Sequence, residues 1–298
     1  LFKNFKELID RIRDLGKVKR VVLVGSEDIE GIKALKKAKS EGIADAILVG
    51  DREKTMEIQK QLGTEFPVID AGNPAEASEK GVKLISSGEA DILMKGLVKT
   101  AVLLKAVLNK EWGLRNGKLL SHIAAMDIPT MDKLVFVSDG GMVIKPDLQQ
   151  KAAIIENAVN FMHQLGYEKP RVALITAVEV VNPDMPETID AAVLAKMAER
   201  KQLPSCYLDG PLGIDNALNE YAAKVKKVSG EVAGKADLLI VPDIHSGNFL
   251  GKSAVYLAGG TIAGLILGAS APIVIVSRAD TENSKLASIA LSVLGSTN

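Results

Sequence analysis

Three apolar stretches of this chain run into polar or Gly-rich loops that lead towards helices: residues 90–101, 237–254 and 272–280. The C-terminal ends of strands in an open α/β sheet gather helix N-termini and free backbone N–H groups, so ligands bind there. At these ends stand Lys95, Lys99, Thr100, Gly247, Asn248, Lys252, Ser277 and Arg278. A set so rich in cations and hydroxyls suits a phosphate-bearing substrate. Ser277-Arg278 is the sharpest pair, because a buried strand should not end on a guanidinium unless that charge meets something. Arginine grips phosphate with a planar two-point fork, and serine adds a neutral donor. The plainer reading of the pair is an interdomain salt bridge.

Other motifs point away from familiar chemistries. Residues 246–253 fall one glycine short of a phosphate loop, since Ser246 stands where Gly is needed, yet Lys252 and the backbone of this loop could still hold an anion. No GxGxxG follows a strand, and no GxSxG elbow exists. His122, His163 and His245 lack metal-ligand spacing. His163 reads as exposed and inert, whereas His245 lies in the Gly-rich loop within reach of a ligand. Cys206 is the single cysteine and reads as a core residue; it excludes an internal disulfide and fits a reducing cytoplasm. Trp112 reads as a helix-end or interface feature.

The elements that must position these residues alternate. Apolar runs at 20–24, 46–49, 67–70, 92–94, 121–126, 133–137, 171–175, 206–208, 238–241 and 273–276 predict strands buried on both faces. Helical patterns at 29–41, 74–87, 100–109, 148–165, 188–201 and 216–227 lie among them. Such alternation predicts an α/β fold with mostly parallel sheets. The charge-free stretch 253–277 is long enough to span a bilayer. Its four glycines and Pro272 instead predict a buried helix, a turn and a buried strand.

At 298 residues, two domains are expected. The boundary is placed after Val137, giving a first domain of 1–137 plus 270–298 and a second of 138–269. The last strand either closes the second domain or returns to the first, and the return is favoured. Lys plus Arg equals Asp plus Glu at 37 each, and aromatics are 4%, so neither nucleic acid nor a membrane surface is expected as a partner. Residues 1–16 read as a charged amphipathic helix without the apolar core of a signal peptide.

Taken together, residues 91–101, 112–115, 120–122, 209–212 with 215–217, 241–244 with 247–248, and 276–280 resemble the phosphate acetyl/butyryltransferase family nearly end to end. Segments 95–100 and 111–115 are closer to its butyryl branch. The resemblance implies a two-domain fold similar to isocitrate and isopropylmalate dehydrogenases, with the active site in the interdomain cleft. It implies the reversible reaction of acyl-CoA and phosphate to give acyl phosphate and CoA, by a homo-oligomer that uses CoA as substrate and no further cofactor or metal. It also implies that Ser277 and Arg278 bind the phosphoryl and acyl groups.

Two positions depart from the family. The aspartate proposed as thiol base in relatives is Ser284 here, so that role does not transfer. Asp280 and Glu282 are the alternatives, unless cations such as Lys252 lower the thiol pKa so that no base is needed, and both carboxylates are equally well explained at a helix N-terminus. The family's Gly-Asn-x-x-Tyr-Lys runs from Gly247 to Lys252, with Gly251 in place of Tyr. Three other readings stay open: a phosphate acetyltransferase with a smaller acyl pocket, a metal- and NAD-dependent decarboxylating dehydrogenase, and a non-catalytic CoA or acyl-phosphate sensor. The dehydrogenase would need an Asp ligand cluster and an Arg-rich carboxylate site, which the sequence lacks.

Overall fold

A computed structural model describes residues 2–276 and 281–296. The chain forms two compact units, Asn4–Lys118 with Ala263–Asn298, and Leu1–Lys3 with Leu119–Ile262. We call them the terminal and the central unit.

The terminal unit opens with α1 (Phe5–Leu15), β1 (Lys19–Val24), α2 (Ile29–Ser40), β2 (Ala44–Gly50), α3 (Arg52–Leu62), β3 (Val68–Asp70), α4 (Pro74–Ser86), β4 (Ile92–Lys95) and α5 (Thr100–Val107). The central unit contributes β5 (Ser121–Asp127), β6 (Val135–Ser138), α6 (Leu148–Gln164), β7 (Arg171–Ile175), α7 (Pro186–Glu199), β8 (Tyr207–Leu212), α8 (Ile214–Leu218), α9 (Glu220–Val225), β9 (Leu238–Ile240) and α10 (Ile244–Tyr256). β10 (Thr261–Leu267) carries the chain back to the terminal unit, which ends with β11 (Ile273–Val274) and α11 (Glu282–Gly295).

In the terminal unit the strands lie in the order β3-β2-β1-β4-β11-β10, parallel except where β10 meets β11. In the central unit the order is β5-β6-β9-β7-β8, parallel except between β5 and β6. Val21 to Val24 and Val135 to Phe136 are fully buried, as strands covered on both faces must be. Each such side chain contributes roughly 1.5–3 kcal/mol by leaving water. Short polar side chains start the helices by accepting first-turn N–H groups: Asn4, Asp28, Asp51, Asn73, Asp147, Asp243 and Thr281.

Three expectations about elements change. Residues 253–268 are not one buried helix: α10 stops at Tyr256, Gly259 turns left-handed at φ +67, and 261–267 is strand. Thr261, Ile262 and Ile266 are β-branched and prefer the pleated backbone. The helix predicted over 216–227 breaks at Asn219, whose extended backbone ends α8 and whose side chain caps α9. The units divide after Lys118 and Ile262, not after residues 137 and 269. β5 and β6 pair with each other, Ile123 opposite Ser138, and so stay in one unit. Among the described residues no helix is long and apolar enough to cross a membrane.

Candidate active site

In the terminal unit β4 lies between β1 and β11, all parallel, with Met94 opposite both Leu23 and Val274. Their C-terminal ends therefore share one edge. The loop after β4 is sewn to the loop after β1, because Gly96 N–H donates to Val24 O and Leu97 N–H donates to Gly25 O, each at 2.8 Å. Only glycine allows this approach: a Cβ on Gly96 would sit 2.3 Å from Gly25 O.

Lys95 closes β4 and is buried, its Nζ donating to Gly96 O at 3.2 Å and Val98 O at 3.3 Å. Its ammonium thus orders its own loop, a job the sequence did not suggest. Lys99 and Thr100 stand exposed at the start of α5. Lys99 occupies the N-cap position without a side-chain bond to the first turn. That helix end offers backbone donors, a positive dipole end and a lysine to an anion.

Ser277, Arg278 and Asp280 lie outside the described residues; Val276, just before them, is buried. Glu282 begins α11, which packs against α2. The Lys33 pKa is raised first by its hydrogen bond to Glu30 and also by the charge of Glu282. On the same faces Lys37 Nζ donates to Asn283 Oδ1 at 3.0 Å, and Lys285 pairs with Asp28 at 3.0 Å. Glu282 thus belongs to a row of charges joining α2 and α11, which favours its structural reading. Ser284, at the position of the relatives' aspartate, is buried and its N–H bonds Thr281 Oγ1 at 3.3 Å.

In the central unit, the segment expected to be a Gly-rich anion loop is the helix α10. Asp243 caps it, accepting from Ser246 N–H at 2.8 Å and Ser246 Oγ–H at 2.9 Å. These hydrogen bonds hold the Asp243 carboxyl below the usual carboxylate range, against the larger opposing effect of burial. Gly247 faces inward, where its Cβ would meet Gly140 Cα at 2.5 Å. His245, Asn248 and Lys252 are on the exposed side. Eight residues of helix put Lys252 about 12 Å along the axis from Ile244, so it cannot join the first-turn amides in one phosphate loop.

The end of β6 carries a further polar cluster, around Asp139. Asp139 is buried and its carboxylate accepts four backbone N–H groups, from His122, Gly141, Met142 and Val143, at 2.8–3.2 Å. Ser138 Oγ–H donates to His122 O at 2.7 Å. The Asp-Gly-Gly sequence was the available signal, since a carboxylate followed by two glycines can fold the chain back over itself. His163, expected to be exposed, is half-buried, and its Nε2 lies 2.8 Å from Ser205 O. Cys206 is only half-buried, yet burial pushes its thiol up to about 11.

Residues 60–293 match the family described as Phosphate acetyl/butaryl transferase. The chain belongs to that family. The phosphate butyryltransferase of Clostridium acetobutylicum is 44% identical over 297 residues, covering 99% of this chain and 98% of that protein. The phosphate acetyltransferase of Thermotoga maritima is 42% identical over 291 residues, covering 97% and 98%. A crystal structure of a branched-chain phosphotransacylase from Enterococcus faecalis V583 superimposes with a TM-score of 0.83 at 30% identity, over 93% of this chain and 99% of that one. The family match spans β4, α10 and residues 276–280, which carry segments singled out above. Among the described residues, no group of three or more His, Cys, Asp or Glu side chains gathers as a metal site would require.

Proposed function

We propose that the chain interconverts acyl-CoA plus phosphate and acyl phosphate plus CoA, with butyryl or a similar short chain preferred. The observation that carries this reading is family membership along nearly the whole chain, with a butyryl-named relative at 44% identity. The CoA thiol, of pKa about 8.5, loses its proton and the thiolate attacks the acyl carbon. A tetrahedral oxyanion forms, the bond from carbon to the phosphate oxygen breaks, and phosphate leaves. Transfer is direct, without an acyl-enzyme. The one thiol, Cys206, stays protonated at neutral pH and is a poor nucleophile.

In this proposal Arg278 and Ser277 hold the phosphoryl and acyl groups. Lys99 and Thr100, with the start of α5, and Asn248 and Lys252 on α10 contribute substrate contacts. Asp280 and Glu282 are the carboxylate candidates for receiving the thiol proton. We further propose that CoA is substrate rather than resident cofactor, that no metal takes part, and that the protein works in the cytoplasm as a homo-oligomer.

Acyl preference is tested by specificity constants for acetyl-, butyryl- and branched-chain CoA. Two further methylenes at ~0.8 kcal/mol each give butyryl up to roughly tenfold or somewhat more over acetyl. Equal or better constants for acetyl-CoA would make the protein a phosphate acetyltransferase.

A further inference from the structure

We propose that His122 is a substrate-binding residue that acts as a neutral hydrogen-bond donor, presenting Nε2–H to an oxygen of the acyl phosphate. The inference rests on the transacylase reading and adds a residue to it.

His122 opens β5 beside the end of β6, where Ile123 faces Ser138. The C-terminal ends of the parallel strands β6 and β9 share that edge, and α10 starts there, with Gly247 against Gly140. This is where an α/β unit binds ligands. The backbone around the histidine is fully committed: its N–H goes to Asp139 and its carbonyl receives Ser138. The ring lies against the loop, since a Cβ on Gly141 would stand 3.0 Å from His122 Cγ.

Nδ1 is buried and has no hydrogen-bond partner among the described residues, while the residue as a whole is half-buried. What a ligand can reach is therefore the Nε2 side of the ring. A proton on Nδ1 would leave an orphaned buried N–H, which is rarer and less tolerated in protein interiors than a spare acceptor. The imidazolium would have the same orphan plus a desolvated charge. Both alternatives lose to one state, with a lone pair on Nδ1 and the proton on Nε2. Burial lowers the imidazole pKa, and the charged group opposing it is Asp139. Asp139 already spends its oxygens on three N–H groups of the loop and on the backbone N–H of His122 itself, so it is no acceptor for the ring. A neutral imidazole with Nε2–H outward is a donor and cannot serve as the thiol base through that nitrogen.

Two oxygens of the substrate could accept the bond, the acyl carbonyl or a phosphoryl oxygen. Gln places an N–H near the imidazole Nε2, whereas Asn mimics Nδ1 and Phe offers neither. His122→Gln should stay within about tenfold of wild-type turnover, while His122→Asn and His122→Phe fall by roughly 10²–10³. A fall in kcat at constant phosphate KM identifies the carbonyl oxygen, and a raised phosphate KM identifies the phosphoryl oxygen. Equal activity of all variants, or a Gln variant as weak as Phe, overturns the proposal. Should the variants fail to fold, nitrogen NMR of histidine-labelled wild type decides. The Nε2–H tautomer between pH 6 and 8 is expected, and an Nδ1–H tautomer or imidazolium at pH 7 refutes it. That spectrum needs no turnover, so it also separates failure of this proposal from failure of the transacylase reading.

Discussion

Arg278 carries the sharpest residue-scale expectation. If Arg278 holds phosphate as proposed, lysine at that position keeps the charge and loses the two-point grip. Arg278→Lys should lose ~2–4 kcal/mol of transition-state stabilisation, read as a fall in kcat/KM. Near-normal turnover in a folded variant would remove Arg278 from the phosphate site. His122 makes a second expectation, in stability rather than rate. Burial keeps its folded pKa below 6.5, so beneath that pH the unfolded chain takes up a proton that the folded chain refuses. Stability is therefore lost as pH drops below 6.5, and this contribution vanishes in His122→Gln. Urea midpoints at pH 7.5 and 5.5 should differ less in that variant than in the wild type; an unchanged difference would contradict the half-buried neutral ring.

At the scale of elements, the loops after β1 and β4 stand or fall together. A Cβ on Gly96 would lie 2.3 Å from Gly25 O, a contact that only backbone movement can relieve. Gly96→Ala should cost ~1–3 kcal/mol or more, and it should displace Lys95 and the start of α5. Gly72→Ala, whose Cβ would meet nothing nearer than Glu76 Oε2 at 3.4 Å, is the matched control and should be close to neutral. Thermal melts of the two variants check this, and equal melting temperatures would sink the account of the glycine pair. The strands were legible because continuous Val, Ile and Leu runs mark double-sided burial. β10 is not legible in the sequence, because Gly264 and small residues mask its period and a strand of this composition resembles a packed helix. The glycines of 244–256 suggest a loop, whereas Asp243 and Ser246 supply the cap that starts α10.

For the molecule as a whole, the family is legible in the sequence segments it shares with its relatives, not in charge or composition. Lys99 and Thr100 could be placed at a helix start from sequence because an apolar strand precedes them. Lys95 could not be assigned to its own loop, since its partners are the carbonyls of Gly96 and Val98, and carbonyls leave no mark in a sequence. Asp139 escaped for the same reason: its four partners are backbone N–H groups. The most direct test of the central claim is CoA release from butyryl-CoA by purified protein, followed with a thiol reagent, with and without inorganic phosphate. Transacylation predicts release that requires phosphate, saturates with it, and yields butyryl phosphate in equal amount. CoA release independent of phosphate, or none at all from any short acyl-CoA, would contradict it.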